Sequence, residues 1–187
     1  MNKFSTAIAF ATAALLAQVA NAGDGQINVT GTVTSSTCKI NGSTQNGGTN
    51  ASLTIPLGTV PAANFAEAGK TGSVVVGSTT QGFNVALTAC PSASTVQLVL
   101  DGSGAIDATT NSFKNTVNGG ASNMNAQIVN AEGGANTVLS PSNGSGISKQ
   151  TDALGNANFL LGARFLSTGA ATAGAFSTVA GFSVVYN

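Results

Sequence analysis

Apolar side chains recur at every second position through much of the chain. Ile27, Val29, Gly31 and Val33 alternate with Asn28, Thr30, Thr32 and Thr34. Leu53, Ile55 and Leu57 alternate with Thr54 and Pro56. The same period runs through Phe83, Val85, Leu87 and Ala89, and through Val96, Leu98 and Leu100. It returns at Met124, Ala126 and Ile128, at Phe159, Leu161, Ala163 and Phe165, and at Phe182, Val184 and Tyr186. A period of two puts alternate side chains on one face of a sheet, so each run predicts a strand. Clusters of Gly, Asn and Ser at 41–50, 101–104, 118–123 and 140–146 separate the runs and predict turns and loops. No long stretch holds a helical period, and residues 61–69 have room for one helical turn or two. Short strands at regular breaks predict an all-β sandwich. An outer-membrane barrel fits less well, because 5% aromatic content with no Trp leaves too little for two girdles.

The first residues read as an address. Met1, Asn2 and Lys3 supply one positive charge, an Ala-rich apolar run covers 4–19, and Ala20-Asn21-Ala22 forms an A-x-A cleavage site. Residues 1–22 are therefore expected to be a signal peptide, with the mature chain starting at Gly23. Export brings the chain into a compartment where disulfides persist. Cys38 and Cys90 are the only cysteines, and an intramolecular bridge is the expected use, over two free thiols or an intermolecular link.

Composition narrows the function classes. The six basic and six acidic residues cancel, and loss of Lys3 leaves five against six. So few cations form no basic patch, which argues against nucleic-acid binding. Charged residues make up 6% of the chain, against about 25% in ordinary soluble domains. With no His, the commonest general base and the common zinc sites are missing. Asp101, Asp107, Glu132 and Asp152 are scattered and do not match a calcium loop. Arg164, the one arginine, is expected to be solvent-facing or bonded to a loop. No nucleophile lies beside an activating base, so an enzyme is not expected and no cofactor is implied.

The first run, at 25–35, sits at the start of the mature chain. It is either an ordinary first strand or a strand made for another molecule. Gly31 lies seven residues before Cys38. Leu57-Gly58-Thr59-Val60, then Phe65 and Gly69, precede the Phe83-to-Cys90 run; Ala163-Arg164-Phe165 is followed by Thr168-Gly169. Tyr186 is penultimate, and Gly174 is the fourteenth residue from the C-terminus. Together with the leader and the cysteine pair, this arrangement resembles the type 1-like fimbrial subunits of the chaperone–usher pathway. The chain departs from the family at Phe165, where Tyr is common, and in a longer interval between the cysteines.

The resemblance implies an incomplete immunoglobulin-like Greek-key sandwich lacking its last strand, completed by a donor strand from a neighbouring subunit. It divides the chain into a signal peptide (1–22), a donor-strand extension (23–35) and a pilin domain (36–187). Gly25, Ile27, Val29, Gly31 and Val33 are then the donor residues, with Gly31 at a shallow pocket. Gly174, Phe182, Val184 and Tyr186 would form the receiving groove and the surface read by chaperone and usher. The implied partners are neighbouring pilin subunits, a periplasmic chaperone and an outer-membrane usher, and the implied location is a surface fibre used in adhesion. The alternative is a minor or adaptor pilin, or a secreted glycan-binding sandwich using loops near 111–120 or 133–146.

Overall fold

Thirteen short strands and two 3-10 turns make up the regular structure of the computed structural model, which describes residues 38–40, 43–44, 55–76, 84–101, 104–144 and 146–186. All of them belong to one unit, Ser35–Asn187. The expected signal peptide and the expected donor residues Gly25, Ile27, Val29, Gly31 and Val33 lie outside the described residues.

The strands form three antiparallel sheets. In the first, β1 (Lys39–Ile40) pairs with β2 (Ser43–Thr44) and with β4 (Val85–Thr88), and β4 pairs with β11 (Ala157–Phe159). In the second, β5 (Thr95–Asp101) lies between β10 (Gly146–Gln150) and β13 (Gly181–Tyr186). The third runs β3 (Val75–Val76), β12 (Leu161–Ser167), β8 (Met124–Asn130), β7 (Ser112–Lys114), β6 (Ile106–Asp107), with β9 (Thr137–Val138) also on β8. One core serves all three. Val85 and Leu87 from the first sheet meet Val96, Leu98, Leu100 and Ile147 from the second and Phe113 and Leu161 from the third. The Cys38–Cys90 disulfide is buried in the same core and ties the start of β1 to the end of the β4 run.

The alternation of β5 is realised residue by residue: Val96, Leu98 and Leu100 are buried, and the positions between them are half-exposed. β8 and β12 behave differently. Asn125, Gln127 and Val129 are buried as well as Met124 and Ala126, so these two central strands of the third sheet are covered on both faces. Polar residues are tolerated there because they bond one another. Asn125 Nδ2 donates to Ser112 Oγ (2.8 Å), Gln127 Nε2 to the Thr110 carbonyl (2.9 Å), and Arg164 Nε to Gln127 Oε1 (3.0 Å). Arg164 therefore bonds to a neighbouring strand, where a loop or solvent was expected.

Several expected elements differ. The 53–57 run makes no ladder over its described part, 55–57. Pro56 has no N–H to give a ladder, and Gly58 turns the backbone away with φ +72°. Ala89 does not continue β4 inward: it is exposed with φ +57°, a kink that returns Cys90 to the core. The single run expected from Phe159 to Phe165 is two strands in different sheets. The chain changes sheet at Leu160, whose N–H points at Glu132 Oε1 (3.4 Å) and whose carbonyl accepts from Ala131 N (3.0 Å). Inward parity survives the crossing, since Phe159, Leu161, Ala163 and Phe165 are all buried. Within the expected loop 41–50, Ser43 and Thr44 pair with β1, and within 61–69 a 3-10 turn forms at Ala62–Phe65.

Candidate functional site

β13 carries the unusual feature of the fold. It pairs antiparallel with β5, setting Phe182 opposite Leu100, Val184 opposite Leu98 and Tyr186 opposite Val96. Directly opposed residues share a face, so Phe182 and Val184 point at the core. Both pack against it, yet both remain only half-buried. Their neighbours do not: Leu98 is 0% exposed, Leu100 4%, and Ile147, on the far side of β5, 8%. Burial thus falls off abruptly at one flank of this sheet. Among the described residues β13 has one ladder partner, β5, and its other edge is open. Val185, on the outward face, is 43% exposed.

The half-buried alternation starts before the strand does. Phe176, Thr178, Ala180, Phe182 and Val184 are each half-buried, while Ser177, Val179, Ser183 and Val185 are exposed. An extended wall therefore begins about five residues ahead of the ladder, at about 3.3 Å per residue. The hydroxyl of Thr178 belongs to this inward set; it is buried and has no partner among the described residues.

The segment that delivers the chain to β13 is held by the turn at 115–123. Ala121 N donates to the Ala175 carbonyl (2.9 Å) and Thr116 N to the Ser177 carbonyl (2.8 Å). Asn115 joins the two segments. Its Nδ2 donates to the carbonyls of Ala121 and Ala175 (both 2.9 Å), and its Oδ1 accepts from Val117 N and Ser177 N (both 3.1 Å). Gly174 lies where this contact is closest. A Cβ there would sit 2.4 Å from the Ala121 nitrogen and 2.6 Å from the Gly120 carbonyl carbon. Of the two reasons for a glycine, tight approach or left-handed φ, the first applies: Gly174 is not among the glycines with positive φ. Next to it, Phe176 stacks edge-on against Phe165 (centroids 5.1 Å apart), and Phe165 against Phe65 (6.3 Å).

Gly174, Phe182, Val184 and Tyr186 thus lie on one continuous segment that runs from the tight approach to the open edge. Sequence reasoning missed Phe176, Thr178 and Ala180, which share the parity of Phe182 and could have been found by extending that period backwards. It also missed Asn115, for which no signal exists in a chain so rich in Asn, because the two partners that tie it to the β13 segment, Ala175 and Ser177, lie some 60 residues away.

Two carboxylates are perturbed. Asp107 is held below the ordinary aspartate value: burial pushes it up, but bonds from the Thr110 hydroxyl and the Thr109 and Thr110 amides, with attraction to Lys114, outweigh that. Asp152 is also held down, chiefly by the Asn156 backbone N–H (2.8 Å), with the Asn156 side chain and the Leu154 amide adding to it. No group of His, Cys or carboxylate side chains with metal-binding geometry occurs among the described residues.

A search of curated protein sequences returns no match. Solved structures do match. The P pilus rod subunit PapA aligns with a TM-score of 0.55 at 21% identity, over 80% of this chain and 99% of that one. A chaperone–usher pilus, studied for rod uncoiling, aligns with a TM-score of 0.55 at 22% identity, over 89% and 97%. The CupB6 tip adhesin of Pseudomonas aeruginosa aligns with a TM-score of 0.52 at 19% identity, over 69% of this chain and 34% of the adhesin. The likeness to these structures shows the all-β, immunoglobulin-like fold of pilin domains. The sequence profile of the fimbrial protein family matches residues 27–187, and the chain therefore belongs to the fimbrial protein family.

Proposed function

We propose that this chain is a shaft subunit of a surface fimbria and that it polymerises by donor-strand exchange. The observation that carries the reading is the step in burial across the second sheet: Leu98 and Leu100 are sealed, while Val184 and Phe182 beside them are half open. An extended strand laid along the free edge of β13 would pair its backbone and cover these side chains. An exposed edge of this length is otherwise an aggregation hazard, which is the physical reason for a periplasmic chaperone to hold the subunit until an outer-membrane usher delivers it to the fibre. Thr178 supports the same reading, because its unpartnered buried hydroxyl would gain a bond from an incoming backbone.

The occupant of the groove is the 23–35 extension of a neighbouring subunit. Gly25, Ile27, Val29, Gly31 and Val33 share one parity and would face the groove together. Burial of an Ile or Val side chain contributes about 1.5–3 kcal/mol, so Ile27, Val29 and Val33 supply most of the apolar gain. Gly31 marks a shallow point where a side chain would strike the floor. The likeness to a rod subunit over 99% of that subunit's length favours the shaft. The work of the subunit is mechanical, and no step makes or breaks a covalent bond.

Val29→Asp tests the donor assignment. It places a charge in an apolar pocket without touching the pilin domain, so the variant should still be recovered as a soluble complex with a fimbrial chaperone. It should fail to form the heat-resistant polymers of the wild type on unheated denaturing gels. Polymers of normal heat resistance would remove Val29 from the donor role.

A further inference from the structure

Each end of the second sheet displays an apolar side chain to solvent. Among the described residues Leu154 and Val179 are the most exposed large apolar side chains, at 81% and 71%. Leu154 follows β10, whose last residue, Gln150, pairs with Thr95 at the start of β5. Val179 lies two residues before Gly181, which pairs with Asp101 at the other end of β5. The seven residues of β5 hold these two ends about 20 Å apart, so the two side chains do not meet within one chain. We propose that they meet between chains: Leu154 of one subunit seats against Val179 of the subunit that receives its extension.

The Leu154 end is a braced apolar cap. Ala89, Pro91, Ala93, Ala153 and Leu154 are exposed on two adjoining turns, 89–94 and 152–156. Thr151 N donates to the Ser94 carbonyl (2.9 Å), Ser94 N to Thr151 Oγ1 (3.1 Å) and Thr151 Oγ1 to the Pro91 carbonyl (2.7 Å). Cys90 N donates to the Gly155 carbonyl (3.0 Å), and a Cβ at Gly155 would overlap the Cys90 carbonyl. Asp152 is the one charged residue of the two turns, and the second turn uses its carboxylate. Oδ1 accepts from Leu154 N (2.9 Å) and Asn156 N (2.8 Å), and Oδ2 from Asn156 Nδ2 (3.2 Å). Backbone fixed in this way needs little ordering on contact, which lowers the entropic cost.

The covalent connection sets the occupant. Cys38 is bonded to Cys90 at this cap, and the extension assigned to a neighbour's groove ends three residues earlier, at residue 35. Three residues span at most about 11 Å, so the receiving subunit lies against the cap. Strand direction sets which end of it does. Every ladder among the described residues is antiparallel, and an extension antiparallel to β13 leaves the groove at the Gly181 end, beside Val179. A parallel extension would leave at the Tyr186 end, where the receiving subunit has its own disulfide and its own departing extension. Unlike ends then meet, and such a contact repeats along a fibre without closing on itself. The inference rests on the shaft reading and adds a contact outside the groove.

Cross-linking in assembled fibres tests the contact. Leu154→Cys and Val179→Cys subunits, each purified full-length with a fimbrial chaperone, are co-assembled in equal amounts and treated with bismaleimidoethane; the native cysteines are bonded to each other and do not react. Unheated denaturing gels report the polymers, and boiled gels leave only the covalent product. Covalent dimers are expected from the mixture and from neither variant alone. Leu154→Ser should keep the heat resistance and denaturant midpoint of the wild type, since the position is exposed and outside the groove. Its fibres should lose stiffness, read as a shorter persistence length in electron micrographs. Val179→Ser should do the same, and the two together should lose no more than either. Polymers without dimers in the mixture, dimers from Leu154→Cys alone, or unchanged stiffness in both serine variants would overturn the contact and leave strand exchange standing. Absence of polymers from wild-type subunits would overturn strand exchange and the contact together.

Discussion

Gly174 shows how a single residue shapes the receiving edge. Its α-carbon lies against the backbone of Gly120 and Ala121, not against a yielding side chain. Gly174→Ala should therefore push the two segments apart and destabilise the domain by about 1–3 kcal/mol, read as a lower denaturant midpoint. The position was legible in the sequence only through its place relative to the C-terminus, and its cause was not, because a backbone contact between 174 and 121 leaves no trace in spacing. Asn115 is the opposite case: four bonds of clear consequence, hidden among many identical residues. Acid stability is also set at single residues. Asp107 and Asp152 are both held below the ordinary value of 3.8, so the unfolded chain takes up protons first as pH falls. Their stabilisation is complete above that value and is lost as pH falls through the lowered folded-state values. With no His in the chain, melting temperature should be flat from about pH 5 to 7 and drop below about pH 4. A midpoint that rises on acidification below that point would contradict the assignment.

Among the elements, those with one buried and one wet face were the readable ones. β5 and β13 follow their alternation because only one side of the second sheet meets the core. β10 carries one large inward residue, Ile147, and the two-residue strands β3, β6 and β9 are too short to show any period, so neither kind was found. The change of sheet at Leu160 was invisible for a different reason: parity is unbroken there, and only the partners change. At β13 the burial pattern makes its own prediction. Thr178→Val removes a buried hydroxyl that has no partner within the described domain. The isolated subunit should lose no stability. The assembled fibre should lose the bond that an incoming strand supplies, and dissociate at a lower temperature in detergent. Unchanged dissociation would mean that the hydroxyl is not met by a donor strand.

At the scale of the molecule, the features agree with one another. Low charge removes the repulsion that keeps soluble domains apart, and a buried disulfide secures a core drawn from three sheets. Among the described residues the second sheet ends at β13 with its inward side chains half-buried, and the proposed donor run at 25–33 alternates with a parity suited to covering them. Size-exclusion chromatography of the mature protein beside a version lacking residues 23–35, each purified from the periplasm with and without a co-expressed fimbrial chaperone, tests this most directly. Heat-resistant oligomers are expected from the full-length chain, and recovery of the truncated chain only as a one-to-one complex with the chaperone. Two stable monomers without a chaperone would show a fold complete in itself, and would contradict assembly by strand exchange.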